Sequence, residues 1–240
     1  MSQEPKLSTY FHSKAIAREF PVSGTFELTS RCNFRCEMCY VHDECHNAET
    51  LSTEQWLKIA EDAKNAGTLF LLITGGEPLV RDDFPILYTE FKKMGFMVSL
   101  NTNGSLLHKY LDLFKKYPPV RVNVSLYGAD DDTYESLCKT RAFTQVYENV
   151  KKLKEIGISV KFNTIFTKKN KNQYKEIIDI SESLEMQVVT TSYAYPQLRL
   201  DKAFAENSGR MSPLEAAQCS IDCDKYRYRN YDFTERAKKL

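Results

Sequence analysis

Hydrophobic and polar positions form two kinds of pattern along the chain, one typical of buried strands and one typical of amphipathic helices. TLFLLITGGEP (68–78) is a near-continuous apolar run of strand length that ends in glycines, as expected for a strand buried on both faces. LSTEQWLKIAEDAKNAG (51–67) instead carries apolar residues at helical spacing, with Ser52 or Thr53 as N-cap and Gly67 at its end. This segment is therefore predicted to be a helix.

The same alternation of strand and helix repeats along most of the chain. The predicted strands are 24–33, 68–78, 96–104, 120–128, 159–167 and 187–196. The predicted helices between them are 51–67, 82–95, 106–117, 143–157 and 172–186. This order is typical of βαβ units with a parallel sheet. Because a closed barrel needs eight such units, the pattern predicts an α/β fold that is either a partial barrel or a doubly wound sheet.

The pattern changes after residue 196. Residues 197–211 are polar and loop-like, and the segment that follows begins with Ser212 and Pro213, an N-cap and a proline at the first helical position. We therefore expect a core domain over residues 1–196 and a C-terminal helical appendage over residues 197–240.

Composition narrows the possible partners and the cellular location. The 33 Lys and Arg residues balance 32 Asp and Glu residues, so a nucleic-acid partner is not expected. No apolar stretch is long enough to span a bilayer and the N-terminus is too polar for a secretory signal, which predicts a cytoplasmic protein that does not bind membranes. The seven cysteines are odd in number and clustered, which favours a metal site over a disulfide framework.

Unusual residues stand at the ends of four predicted strands. The cysteine cluster follows the first strand, TGGEP the second, NTNG the third and SLYG the fourth. In both candidate architectures ligands bind at the carboxyl ends of the strands. These motifs are therefore expected to lie together in one functional site.

The cysteine cluster CNFRCEMC places Cys32, Cys36 and Cys39 on one loop. Structural zinc requires four ligands. Cys45 or one of two nearby histidines could supply the fourth, so zinc stays an alternative. A cubane iron–sulfur cluster fits three thiolates better, because one of its four irons is then left open for a small-molecule ligand.

CNFRCEMC followed by an aromatic residue, with GGEP on the next strand, resembles the radical S-adenosylmethionine (SAM) enzymes over roughly residues 20–196. The resemblance implies a partial (β/α)6 barrel of parallel strands with a C-terminal helical appendage. It also implies that Cys32, Cys36 and Cys39 hold a [4Fe–4S] cluster. The open iron would bind the amino and carboxylate groups of SAM.

The resemblance further implies a set of SAM contacts. Gly75, Gly76 and Glu77 match the GGEP motif that meets the methionyl ammonium, and Tyr40 occupies the aromatic position near the adenine. A packed loop aromatic would explain Tyr40 as well.

Four further residues complete the implied SAM site. Ser125 matches a polar strand-end residue that contacts the ribose or carboxylate, and Arg141 matches an arginine that pairs with the carboxylate. Asn103 and Asn163 are candidate pocket residues, although turn chemistry explains Asn103 nearly as well. Tyr127 stands where many relatives have an acidic residue, so that role is not transferred to it.

The implied reaction is one-electron reductive cleavage of SAM to a 5′-deoxyadenosyl radical, which abstracts a hydrogen atom. Several segments resemble the subset with a cysteine-rich SPASM or twitch extension, which predicts a peptide or protein substrate and a reductant such as flavodoxin or ferredoxin. Most of that extension is missing, and Cys219 and Cys223 are interpreted as buried helix cysteines. The alternatives are a radical SAM enzyme for a small molecule, or a non-catalytic iron–sulfur or zinc protein.

Overall fold

Six parallel strands form one open sheet in the computed structural model, which describes residues 7–39, 50–193 and 209–231. Neighbours in the sheet follow chain order from the first strand to the sixth. The strands are β1 (Ser23–Glu27), β2 (Phe70–Thr74), β3 (Met97–Thr102), β4 (Arg121–Ser125), β5 (Val160–Ile165) and β6 (Gln187–Thr191). This arrangement confirms the predicted α/β fold of parallel strands.

Helices connect the strands and flank them at both ends of the chain. They are α1 (Leu7–Arg18), α2 (Thr53–Asn65), α3 (Phe84–Lys93), α4 (Leu111–Lys116), α5 (Asp131–Cys138), α6 (Phe143–Glu155), α7 (Tyr174–Ser183) and α8 (Pro213–Arg227). Short 3₁₀ turns precede α3, α4 and α7, at Pro78–Val80, Leu107–Tyr110 and Lys171–Gln173. The helices predicted at 106–117 and 172–186 therefore each begin with a tighter turn.

The second strand, β2, differs from its prediction in one respect. Leu71 and Ile73 are fully buried, whereas Leu72 and Thr74 on the opposite face are only half-buried. Leu72 pairs with Ser99 in the parallel register, so this second face places a polar side chain beside an apolar one. The apolar run alone could not distinguish such a half-buried face from a fully buried one.

The start of α2 shows how local sequence determines a helix boundary. The Ser52 side chain accepts a hydrogen bond from the Gln55 backbone N–H, and the Gln55 side chain accepts one from the Ser52 backbone. This reciprocal capping box satisfies backbone donors that the first helical turn leaves without partners. Gly67 follows the helix with φ +102°, a conformation that favours glycine, so both predicted ends of α2 are confirmed.

Two helices were not predicted. Helix α1 (Leu7–Arg18) precedes the first predicted strand, and α5 falls inside a predicted connection between the fourth strand and the next helix. Helix α5 has only eight residues, and its boundaries depend on polar groups rather than on hydrophobic periodicity. The Asp130 side chain accepts from the Thr133 backbone N–H at its start, and Lys139 with φ 59° ends it.

The predicted start of the C-terminal helix is confirmed. Ser212 caps α8 through a capping box with Glu215, and Pro213 takes the first helical position. Residues 194–208 and 232–240 of the chain lie outside the described residues. In the part that is described, no helix combines the length and the apolar composition that a bilayer crossing requires.

The chain packs as two compact units, each with its own aromatic core. The first comprises residues up to Asn33, Val41–Ser125 and Gln145–Lys161. In it, Phe26 contacts Trp56 and Phe91 at ring-centroid distances of 5.3 and 5.7 Å.

The second unit comprises Phe34–Tyr40, Leu126–Thr144 and the residues from Phe162 onward. Here Tyr134 contacts Phe34 and Phe143 at centroid distances of 6.5 and 6.1 Å. The division at residue 196 stays a prediction.

Candidate active site

In the first unit, the GGEP loop packs directly against the segment that follows β1. A Cβ atom built on Gly75 would lie 2.3 Å from the Thr29 carbonyl oxygen, and one on Gly76 would lie 2.4 Å from the Arg31 carbonyl oxygen. The Gly76 N–H donates to that Thr29 oxygen at 2.7 Å and the Glu77 N–H to that Arg31 oxygen at 2.8 Å. The close approach of the chain to itself therefore requires both glycines.

Glu77 is a fully buried carboxylate at the end of β2. One carboxylate oxygen accepts from the Leu79 N–H at 3.0 Å and the Thr102 hydroxyl at 2.9 Å, and the other accepts from the Asn103 N–H at 2.6 Å. Burial raises the pKa of Glu77 to about 7, although these hydrogen bonds oppose the rise. The group is thus poised to change its protonation state near neutral pH.

Asn103 joins Glu77 to the cysteine motif. Its side-chain amide donates to the Asn33 side-chain oxygen at 2.8 Å and lies 3.8 Å from Cys32 Sγ. Its side-chain oxygen accepts from the Ser105 N–H at 3.0 Å, the turn chemistry expected for NTNG. In the first unit, the Asn103 side chain therefore makes the turn expected for NTNG and also contacts a motif cysteine.

Helix α6 supports the NTNG loop from behind. The buried Asn149 side chain donates to the Gly104 carbonyl at 2.9 Å and the Ser105 carbonyl at 3.0 Å. These bonds satisfy two backbone acceptors of the loop that carries Asn103. Sequence reasoning missed Asn149, because an asparagine inside a helical pattern carries no signal for a contact so distant along the chain.

In the second unit, the remaining cysteines of the motif lie on a loop that packs against the C-terminal end of α5. The Arg35 N–H donates to the Cys138 carbonyl at 3.1 Å, and the Glu37 N–H donates to the Leu137 carbonyl at 3.0 Å. Cys36 lies between these two anchors. The interaction of its side chain with Cys138, together with burial, raises the pKa of Cys36 well above its usual value.

Glu37, the residue after Cys36, holds the same loop through two lysines. Its carboxylate accepts from Lys139 Nζ at 2.6 Å and Lys169 Nζ at 2.5 Å, and both ammonium groups also donate to the Ser136 carbonyl. Partial burial opposes ionisation, but the two lysines lower the pKa of Glu37. The anchoring role of Glu37 was not predicted, although its position inside the motif was a usable signal.

The remaining residues predicted to contact SAM differ in how far they are buried. Arg141 is exposed and pairs with Asp132 at 2.5 Å and Glu135 at 2.8 Å, so these acids already satisfy part of its guanidinium. Ser125 ends β4 and is half-buried, and Asn163 is half-buried in β5. Tyr40 lies outside the described residues.

The two cysteines of α8 are buried and contact each other. Cys219 and Cys223 lie one helical turn apart, and the thiol of Cys223 donates to Cys219. That bond, assisted by one from Ser192, lowers the pKa of Cys219 to about 7, whereas the pKa of Cys223 is raised. Their packing agrees with the interpretation of them as buried helix cysteines.

The chemistry of the motif residues fits an iron–sulfur cluster. Thiolates are soft ligands that suit iron–sulfur clusters, and three of them leave one iron of a cubane open. The Asn103 amide beside Cys32 is the kind of donor that surrounds a thiolate ligand and tunes it. Among the described residues, no group of three or more His, Cys, Asp and Glu side chains is arranged around a common point.

Comparison with known proteins identifies relatives by sequence. A family model described as the radical SAM superfamily matches residues 26–180. A probable GTP 3′,8-cyclase of Saccharolobus islandicus is 33% identical over 159 residues, which are 65% of this chain and 52% of that protein. One from Sulfolobus acidocaldarius is 29% identical over 205 residues, 85% of this chain and 65% of that protein. The chain thus spans about half to two thirds of these relatives.

Solved structures with the same fold include two that contain a bound peptide. Streptococcus suis SuiB bound to the precursor peptide SuiA has a TM-score of 0.74 and 17% identity, over 96% of this chain and 53% of SuiB. The anSMEcpe protein with bound AdoMet and the Cp18Cys peptide has a TM-score of 0.73 and 15% identity, over 88% of this chain and 61% of anSMEcpe. At these identities the similarity establishes a shared fold.

Proposed function

Because the chain belongs to the radical SAM superfamily, we propose that it binds a [4Fe–4S] cluster through Cys32, Cys36 and Cys39 and cleaves SAM. When bound, the cluster and SAM would supply a 5′-deoxyadenosyl radical after one-electron reduction by a donor such as flavodoxin or ferredoxin. The chain itself would bind and orient SAM and exclude water around it.

The observation that carries this proposal is the hydrogen-bonded chain from Glu77 through Asn103 to Cys32. It links the carboxylate proposed to meet the methionyl ammonium with a cysteine proposed to hold the cluster. An ionised carboxylate attracts an ammonium group strongly in a buried site, and a bound cation would stabilise the ionised form of Glu77. We assign further SAM contacts to Gly75, Gly76, Tyr40, Ser125, Arg141, Asn103 and Asn163.

Anaerobic reconstitution with iron and sulfide tests the proposal. We expect about four irons per chain and, after dithionite reduction with SAM, formation of 5′-deoxyadenosine. Alanine variants of Cys32, Cys36 and Cys39 should lose the cluster, whereas Cys219→Ala, which removes a buried thiol of α8, should retain it. Wild-type protein that binds iron but forms no 5′-deoxyadenosine would contradict the enzymatic proposal, and stoichiometric zinc in place of iron would contradict the cluster.

For the substrate, we propose a ribosomally made peptide or protein that loses a hydrogen atom. The support is the resemblance of TGGEPLVRDDFPILY, SLNTNGSLL and GRMSPLEAA to the peptide-modifying subset. The reaction is checked with candidate precursor peptides from the neighbouring reading frames, and a mass change that requires both SAM and reductant is the expected result.

A small nucleotide is the second candidate substrate, favoured by the 33% identity to a probable GTP 3′,8-cyclase. Incubation of the reconstituted protein with GTP distinguishes the two candidates. SAM-dependent consumption of GTP, with no change in the peptide, would replace the peptide proposal with the nucleotide one. Both experiments presuppose that SAM cleavage has been observed.

A further inference from the structure

We propose that Cys138 is a positioning residue for the cluster, and that its thiol donates a hydrogen bond to the sulfur of Cys36 and thereby raises the reduction potential. This inference rests on the proposed function, because it concerns the cluster that Cys36 would bind. It assigns a role to a cysteine that lies outside the CNFRCEMC motif.

The backbone geometry makes the contact between the two cysteines specific. The Arg35 and Glu37 N–H groups, on either side of Cys36, donate to the carbonyls of Cys138 and Leu137. Helix α5 leaves its last carbonyls without partners inside the helix, so the motif loop caps this helix end. The two backbone bonds place Cys36 next to the buried end of α5, where its side chain interacts with that of Cys138.

The position of Cys138 is fixed by burial and by the loop that packs against its helix end. Cys138 is fully buried at the end of α5. The Glu37 carboxylate and its two lysines tie the loop to the Ser136 carbonyl, two residues earlier in the same helix. Four separate hydrogen bonds therefore restrict movement of the loop relative to the Cys138 side chain.

The direction of the hydrogen bond follows from the chemistry of the two sulfurs. A Cys36 thiolate bound to iron has no proton to donate, so it can only accept one from Cys138. One-electron reduction makes the cluster more negative, and part of that charge lies on its cysteine sulfurs. A donor to one of these sulfurs stabilises the reduced state and raises the potential. No bond is broken, and the electron comes from the external reductant.

The test is an anaerobic redox titration of the reconstituted protein, followed by EPR without SAM or substrate. Cys138→Ala removes the donor and should lower the midpoint potential while leaving the iron content unchanged. Cys138→Ser keeps a hydroxyl donor and should restore the potential to the wild-type value or above it. The matched control is Cys219→Ala, which removes another buried thiol and should leave the potential unchanged.

Several outcomes would overturn the inference. An unchanged potential in Cys138→Ala, or a potential in Cys138→Ser as low as in Cys138→Ala, excludes the hydrogen bond as the cause. Loss of iron in Cys138→Ala equal to that in Cys36→Ala would instead make Cys138 a ligand. Circular dichroism melting shows whether Cys138→Ala fails to fold. In that case the midpoint potential of Cys138→Ser is compared with that of the wild-type protein. Failure of the wild-type protein to bind a cluster would contradict the proposed function itself.

Discussion

At the scale of single residues, the GGEP motif contains glycines that backbone packing requires and a carboxylate that is buried. The motif alone does not distinguish these two kinds of position. Gly75 and Gly76 are needed because the chain approaches itself, and Glu77 is fully buried in a network of hydrogen bonds. The motif GGEP therefore has a structural function that is independent of any ligand. Substitutions in it should change stability as well as SAM binding.

Replacement of Glu77 by Gln should remove a pH dependence of stability. Burial raises the folded pKa of Glu77 to about 7, above the 4.5 of an ordinary glutamate. The protonated form is therefore favoured by folding, and stability is greatest below pH 4.5 and falls as the pH rises through 7. By linkage the loss is about 3 kcal/mol, measurable by urea unfolding between pH 4.5 and 8.

Glu77→Gln should lack this loss, although it will be less stable at low pH because one of the two accepting oxygens is replaced by an NH2 group, which cannot accept a hydrogen bond. The exposed Glu61 provides the control, since Glu61→Gln should keep the wild-type slope. An unchanged slope in Glu77→Gln would show that another group titrates.

Replacement of Gly76 by Ala should destabilise the fold more than replacement of Gly95. A Cβ on Gly76 would lie 2.4 and 2.5 Å from two backbone oxygens, which cannot rotate away, whereas one on Gly95 has nothing within 4 Å. We expect a cost of about 3 kcal/mol for Gly76→Ala from overpacking. Gly95→Ala should cost about 1 kcal/mol from its positive φ alone. Equal thermal unfolding midpoints for the two variants would contradict the steric argument.

At the scale of elements, two of the loops that carry motif residues are held by helices. Helix α6 supports the NTNG loop through Asn149, and the cysteine loop donates hydrogen bonds to the terminal carbonyls of α5. Helix α8 begins as its sequence predicts and packs Cys219 and Cys223 inward. The geometry of the site thus depends on helices that contribute no predicted ligand.

Replacement of Asn149 by Ala should weaken the fold and the NTNG loop together. The change leaves the Gly104 and Ser105 carbonyls without their donor, at a cost of about 2 kcal/mol for buried unsatisfied groups. Hydrogen exchange of the Asn103 and Ser105 amides should accelerate more than that of amides in β2. Gln145→Ala, at an exposed position of α6, is the control, and similar exchange in the two variants would argue against the supporting role.

At the scale of the whole molecule, charge balance limits the partners that the chain can bind. The net charge is +1, so the chain lacks the excess of cations on which nonspecific nucleic-acid binding depends. Relatives by sequence and structures of the same fold differ in what their names say, since one is a probable GTP 3′,8-cyclase and another is SuiB bound to a precursor peptide.

Titration of the chain into fluorescent duplex DNA and single-stranded RNA should give no change in anisotropy at micromolar concentrations near 0.15 M salt. The physical reason is that few phosphate-bound counterions would be released on contact. A basic protein of similar size is the positive control for the measurement. Salt-sensitive binding to either polymer would show that local clustering of Lys and Arg outweighs the balanced total.

Much of the fold could be predicted because strands and long helices each have a characteristic spacing of hydrophobic residues. Helix α2 was placed within two residues at each end, because Ser52 and Gly67 act locally. Helix α5 was missed, because eight residues with polar capping offer too little periodicity. The motif residues were singled out from the sequence and their roles stay predictions, whereas Asn149, Glu37 and Cys138 were not singled out, since each makes contacts with residues far away in the chain.

The sequence by itself determined the alternation of strands and helices, the helix caps and the candidate motif residues, because these depend on short-range periodicity and on motif spacing. Only the tertiary structure decided that Glu77 is buried and has a pKa near 7, that Gly76 faces backbone, and that Cys138 contacts Cys36. Burial and hydrogen-bond partners are properties of packed surroundings, and those surroundings come from residues distant in sequence.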